Sequence, residues 1–171
     1  LPYEVQYLEK SNSTALAKGP TRWATRIPTL YNADTLGIRP DLVNRPITHW
    51  HELFHPEFKG RAAILDVPSI GIMDAAMAIE SRGDITYGDK GNMTQEEIDK
   101  TIKILIDLKK SDHFRAFWTT FDESVNLMTS GEVVIQSMWS PAVTAVRARG
   151  IPCYYTPLQE GYRAWAVGLG L

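Results

Sequence analysis

Three times along this chain a short apolar run gives way, within two or three residues, to a helical pattern, and that repetition limits the fold more than any other feature. Arg61-Ala-Ala-Ile-Leu-Asp66 is nearly all apolar, and a stripe of Ile72, Ala75, Ala76 and Ile79 follows it from about Pro68 to Ser81. Phe114 to Trp118 runs into Thr120-Phe-Asp-Glu123, a capping box whose helix reaches Met128 and stops at Gly131. Glu132 to Met138 runs into Ser140-Pro141, a helix start with proline in its first turn, and Gly150 ends that helix. Continuous apolar strands suit a sheet covered on both faces. Strands alternating with helices predict an α/β fold with a mainly parallel sheet.

The other segments fit around this frame. Thr94-Gln-Glu-Glu97 is a second capping box, and its helix is expected to turn Ile98, Ile102, Leu105 and Ile106 inward. Ile27 to Ile38 reads as extended and is broken by Arg39-Pro-Asp. Thr48 is placed to cap a short helix from His49 to Phe54, and Ile151 to Thr156 and Arg163 to Leu171 read as the last strands.

Charge and composition remove whole classes of function. The basic residues are scattered, the net charge is −2 and the pI is near 6.1, which is not the footprint of a nucleic-acid binder. No run approaches the roughly 18 apolar residues of a membrane span, so direct membrane insertion is not expected. The single cysteine, Cys153, sits among apolar and aromatic neighbours and reads as a buried structural thiol. The chain opens at Leu1 without a basic and apolar leader, so any export signal is expected outside it.

In open α/β sheets, ligands gather beyond the carboxyl ends of the strands, where helix N-termini offer N–H groups and a positive dipole end. That rule selects three corners: Asp66-Val-Pro-Ser-Ile-Gly71, with Ser69 and Ile70; Trp118-Thr-Thr-Phe121; and Trp139-Ser-Pro141, with Ser140. Trp118 and Trp139 can each supply a flat wall for an apolar or cationic group or belong to the core. Asp66 is expected to cap its helix and Asp74 to be solvated. His51-Glu-Leu-Phe-His55 matches the zinc-peptidase pattern, but that pattern needs a helix carrying both imidazoles on one face, and Pro56 follows at once. Nucleophile elbows, phosphate loops and dinucleotide fingerprints are missing, so neither a catalytic residue nor a cofactor is expected.

Several stretches resemble a known family. Ile27-Pro-Thr-Leu-Tyr-Asn-Ala-Asp-Thr-Leu-Gly-Ile38, followed by Ile47-Thr-His-Trp-His-Glu-Leu-Phe-His-Pro-Glu-Phe-Lys-Gly60, is similar to the crossover strand and next segment of family 1 extracellular solute-binding proteins of ABC importers. The spermidine/putrescine-binding branch is the nearest in pattern. Ser130-Gly-Glu-Val-Val-Ile-Gln-Ser-Met-Trp139 and Glu160-Gly-Tyr-Arg-Ala-Trp165 resemble a later strand and the return crossover. The resemblance implies a lobe of the type II periplasmic-binding-protein kind, taken from a two-lobed clamshell. Residues 1–27 are then a remnant of lobe 1, 28–38 the first hinge crossover, 39–162 lobe 2, and 163–171 the return crossover. It also puts His51 and His55 in a segment that is structural in the family.

Carried over residue by residue, Trp139 and Trp165 match tryptophans of the cleft, and Tyr31 and Asn32 stand on the first crossover. The corner at residues 67–70 is where polyamine binders place carboxylates, yet here Val67 and Ile70 are apolar and Ser69 is the polar side chain. Val167 stands where those binders have a second aspartate. An unpaired ammonium in a closed cleft costs several kcal/mol. The expected ligand is therefore a small amphoteric or anionic solute, with Asp34 holding a cationic group and Arg163 an anionic one. The implied function is solute capture outside the cytoplasm, in the periplasm, by a protein that is monomeric at full length and delivers to a membrane permease. Two other readings stand beside it: a zinc-dependent hydrolase using His51, Glu52 and His55, and the effector-sensing domain of a transcription regulator.

Overall fold

The computed structural model describes residues 6–10, 15–155 and 157–170. In chain order its elements are β1 (Gln6–Tyr7), β2 (Ala24–Ile38), β3 (Ala62–Leu65), α1 (Pro68–Arg82), α2 (Gln95–Lys110), β4 (Phe114–Trp118), α3 (Phe121–Ser130), β5 (Ile135–Met138), α4 (Ser140–Ala148) and β6 (Arg163–Gly170). The chain divides into two units, Leu1–Ala33 with Ala164–Leu171, and Asp34–Arg163. In the smaller unit β1 and β6 both pair with β2. Gln6 stands opposite Arg26, whose guanidinium donates to the Ala166 carbonyl.

The larger unit holds the strand–helix alternation. β3 runs parallel to β4 on one side and to β5 on the other, and the end of β2 joins β5 antiparallel, Thr35 opposite Met138 and Ile38 opposite Ile135. Side chains of a strand alternate between faces, and β3 shows it. Ala62 and Ile64 pack with Leu36, Ile38 and the Ala75–Ile79 side of α1, while Ala63 and Leu65 pack with Trp118, Met138, Val125 and Met128 of α3 and Ala142, Val143 and Val146 of α4. All four β3 residues are buried, as the all-apolar run requires. Both capping boxes form, Thr94 with Glu97 and Thr120 with Glu123, and Gly131 takes the left-handed conformation that ends α3. Cys153 is buried, and burial pushes its thiol up to about 11. Among the described residues no helix is long and apolar enough to cross a membrane.

Four local expectations are corrected. On α2 the packed side is Thr101, Ile104, Leu105 and Leu108, whereas Ile102 and Ile106 are exposed. Thr101 takes the buried place because its hydroxyl donates to the Glu97 carbonyl at 2.7 Å and meets the Tyr87 hydroxyl at 2.6 Å, which turns the helix by about one residue. Residues 151–155 form no strand and make a single bridge, Tyr154 to Ile38. Thr48 caps nothing: Trp50–Phe54 is a 3-10 turn preceded by His49, and the Trp50 N–H is taken by the Glu160 carboxylate. Nor does Asp66 cap α1. Val67 is the residue before the helix, and Asp66 spends its own N–H on the Trp118 carbonyl at 2.7 Å. Thr156 and Leu171, the expected ends of the last two strands, lie outside the described residues, as do residues 1–5 and 11–14 of the first segment.

One glycine sets how closely α1 approaches β3. A Cβ on Gly71 would stand 2.0 Å from the Leu65 carbonyl oxygen, a backbone atom that can move only with the strand. Gly71→Ala is expected to lower unfolding stability by roughly 1–3 kcal/mol, the usual cost of overpacking, read as a lower midpoint in urea denaturation followed by circular dichroism. An unchanged midpoint would show that the corner is looser than this geometry.

Candidate functional site

Because β3, β4 and β5 run parallel, their carboxyl ends share one edge of the larger unit's sheet, and a helix begins after each. The three helix starts differ. At β4–α3 the chain satisfies itself: the Glu123 carboxylate accepts the N–H of Thr119 at 2.8 Å and of Thr120 at 3.0 Å, and Thr120 Oγ1 accepts the N–H of Glu123. At β3–α1 and β5–α4 the residues before the helix are Val67 and Trp139, neither of which caps with its side chain, and each helix carries proline in its first turn. These two starts follow adjacent strands. A helix start without a side-chain acceptor keeps its positive dipole end available to an anion.

The five residues expected at these corners differ in exposure. Ser69 is exposed and Ile70 half-buried in the first turn of α1, and Trp139 and Ser140 are half-buried at the start of α4. Trp118 is 1% exposed and sits in the core. It meets Trp139 edge-on, ring centroids 4.9 Å apart, so it backs the Trp139 ring and is not itself a ligand wall. The reason is its place at the end of β4 beneath α3 and α4, whose apolar faces cover it.

Asp34 and Arg163 are brought together, but with each other. Arg163 donates from Nη2 to Asp34 Oδ2 at 3.0 Å and from Nε to Asp74 Oδ1. Asp74, expected in solvent, is only 2% exposed, as is Asp34; it lies on the buried side of α1, beside Ala75 and Ala78. The triad thus contains two carboxylates and one guanidinium. Burial pushes Asp74 up to about 6; Arg163 opposes the rise and the nearby Asp34 charge adds to it. Tyr155 closes the network. Its hydroxyl accepts from the Thr35 N–H at 3.2 Å and lies 2.8 Å from the Met138 carbonyl and 3.2 Å from Asp34 Oδ1. Burial and the Asp34 charge hold that phenol neutral, well above the ordinary tyrosine value. Arg163 and Asp34 are therefore structural partners, not ligand-holding groups. Only a contact between distant segments reveals this, and no local pattern marks Asp74 or Tyr155.

Tyr31, Asn32 and Trp165 belong to the smaller unit, where Tyr31 is exposed and the other two are half-buried. The zinc-peptidase pattern does not assemble. A 3-10 turn has three residues per turn, so positions four apart do not share a face; His55 also stands beyond the turn, in extended conformation. Glu52 is buried and held by both Nη atoms of Arg45, at 3.0 and 2.6 Å, which keeps its carboxyl below the ordinary range, hydrogen bonding being the largest cause. His55 Nδ1 accepts the Glu57 N–H.

The sequence profile of the bacterial extracellular solute-binding protein family matches residues 3–170. No curated protein matches significantly. Among solved structures, an ABC transporter substrate-binding protein from Bradyrhizobium japonicum is 22% identical with a TM-score of 0.69, over 85% of this chain and 42% of that one. The spermidine/putrescine ABC transporter substrate-binding protein PotD from Streptococcus pneumoniae is 15% identical with a TM-score of 0.67, over 84% and 41%. The Atu4243–GABA receptor is 21% identical with a TM-score of 0.65, over 84% and 42%. At these identities the likeness establishes the fold. The chain spans about two fifths of the length of those structures.

Two outcomes test the triad. Arg163→Ala leaves two buried carboxylates without their cation and is expected to cost about 3–5 kcal/mol, measured by urea denaturation at pH 8, with a smaller loss at pH 5 where Asp74 takes up a proton instead. Asp74 has a folded value near 6, above its unfolded 3.8, so its contribution to stability is fully present below pH 4 and is lost as pH rises through 6. Asp74→Asn removes that loss. The variant's stability relative to wild type is therefore expected to rise between pH 4 and 7, and a flat difference would contradict the raised value.

Proposed function

Because this chain belongs to the bacterial extracellular solute-binding protein family, we propose that it is part of the substrate-binding component of an ABC importer, and that its larger unit forms one wall of a cleft that captures a small amphoteric solute. The protein acts outside the cytoplasm as a monomer, makes and breaks no bond, and hands its solute to a membrane permease after closing on it. Residues 28–38 and 163–171 act as the two hinge crossovers, 39–162 as lobe 2 and 1–27 as part of lobe 1. In support, the unit boundaries at 33/34 and 163/164 fall within those crossover segments.

The observation that carries the ligand reading is the pair of helix starts, α1 and α4, whose preceding residues Val67 and Trp139 offer no side-chain cap, while α2 and α3 are closed by their own threonine and glutamate. A solute carboxylate fits the positive dipole ends there. Beside them the half-buried Trp139 offers a ring face to a positive group on the same solute. The exposed corner at residues 66–69 has one carboxylate, Asp66, a poor match for a polyamine with several ammonium groups. A neighbour described as a GABA receptor agrees in ligand chemistry. The regulator reading has no observation in its favour, and the hydrolase reading has lost its helix.

Titration calorimetry of the full-length gene product against γ-aminobutyrate and similar amino acids, dicarboxylates and spermidine tests this. An amino-acid-like zwitterion is expected to bind, and Trp139→Ala to weaken it about tenfold, the equivalent of one cation–aromatic contact. Nanomolar spermidine binding, or solute affinity indifferent to Trp139, would overturn it.

A further inference from the structure

The segment His49-Trp50-His51 and the turn at residues 158–161 build a cluster unrelated to the sheet edge. Trp50 is fully buried and its indole N–H donates to the Gly161 carbonyl at 2.9 Å, which anchors the segment and leaves the two histidines on either side of it. Their rings stack, centroids 5.1 Å apart and 21° from parallel. The opposing turn is stitched to the same backbone: Gln159 N–H donates to the Thr48 carbonyl at 2.8 Å, and Trp50 N–H to Glu160 Oε2 at 3.1 Å. Glu160 Oε1 then lies 2.8 Å from His49 Nδ1 and accepts from the Ser81 hydroxyl, which sits 2.9 Å from His51 Nδ1.

We infer that His49, His51 and Glu160 bind a zinc ion on the surface of the larger unit. One ligand atom from each lies within 4.8 Å of the other two. Around a tetrahedral zinc with bonds of about 2.0–2.2 Å, ligand atoms stand roughly 3.3–3.6 Å apart, so small side-chain rotations close the set. Two imidazoles and one carboxylate suit zinc, leaving a position for water, whereas calcium and magnesium favour all-oxygen sets. The backbone stitches hold Glu160 in place beforehand, so binding orders little that is not already ordered. His49 is 42% and Glu160 25% exposed in its side chain, which gives an ion access from solvent. Carboxylate oxygens only accept and Ser81 gives its proton to Glu160, so protons on His49 Nδ1 and His51 Nδ1 now bridge the cluster. An ion at these nitrogens replaces the bridges, and each ring then carries its proton on Nε2. Bound zinc would clip the turn that leads into β6 to the segment that precedes β3.

The site is independent of the solute reading, and its test leaves the sheet edge untouched. Zinc is titrated by calorimetry into the untagged, chelator-stripped full chain, with long-range ¹H–¹⁵N spectra of the imidazoles recorded alongside. One equivalent is expected to bind, undisturbed by millimolar magnesium, with the ring nitrogens of His49 and His51 shifting and those of His55 and His113 still. His49→Gln and Glu160→Gln should each weaken binding at least tenfold, and His55→Gln should leave it unchanged. Absence of a one-equivalent event, shifts centred on His55, or undiminished binding in His49→Gln would each overturn the site. The spectra of the unsubstituted chain decide the matter even where a variant fails to fold.

Discussion

Arg163 opens β6 with its guanidinium held between Asp34, near the end of β2, and Asp74, in the second turn of α1, and all three side chains are less than a tenth exposed. An ion pair at that depth adds little net stability over apolar packing, because desolvating the charges offsets their attraction. What it adds is geometry. A guanidinium donates in a fixed plane, so Arg163 can serve both carboxylates only where the three segments meet at one set of angles. Tyr155 extends the same constraint to β5 through the Met138 carbonyl. The position of the α1 start relative to the β5–α4 corner follows from this cluster.

The neighbouring tryptophans work in the same layer. Trp118, closed in by α3 and α4, packs perpendicular to the Trp139 ring, so the half-buried ring is held by a buried one. With Gly71 admitting α1 close to the Leu65 carbonyl, the sheet edge presents two helix starts and one braced aromatic ring. Such an edge suits the proposed capture of a small charged molecule by dipoles and packing. A binding role accords with the family the chain belongs to.

Local features were legible in the sequence because they are decided within a few residues. Thr94 and Glu97, Thr120 and Glu123, and Gly131 meet their partners inside one helical turn, and the all-apolar β3 run allows little besides a strand covered on both faces. Features decided across the chain were not legible. Asp74 resembles any polar residue on a helix until Arg163, 89 positions later, comes to lie beside it. The buried face of α2 depends on Tyr87, which arrives from a loop without pattern. His51 and His55 match a catalytic motif in spacing, yet the turn between them is 3-10, and the partner His51 does meet, Ser81, is 30 residues further on.

In the proposed capture, the starts of α1 and α4 hold the solute. Backbone amide chemical shifts of the full-length protein, recorded with and without a bound amino-acid-like solute, address that directly. Large perturbations are predicted at Ser69, Ile70, Ser140 and Ala142, with Thr120 and Phe121 at the self-capped α3 start much less affected. Saturable binding that leaves the amides of both α1 and α4 starts unmoved would contradict it.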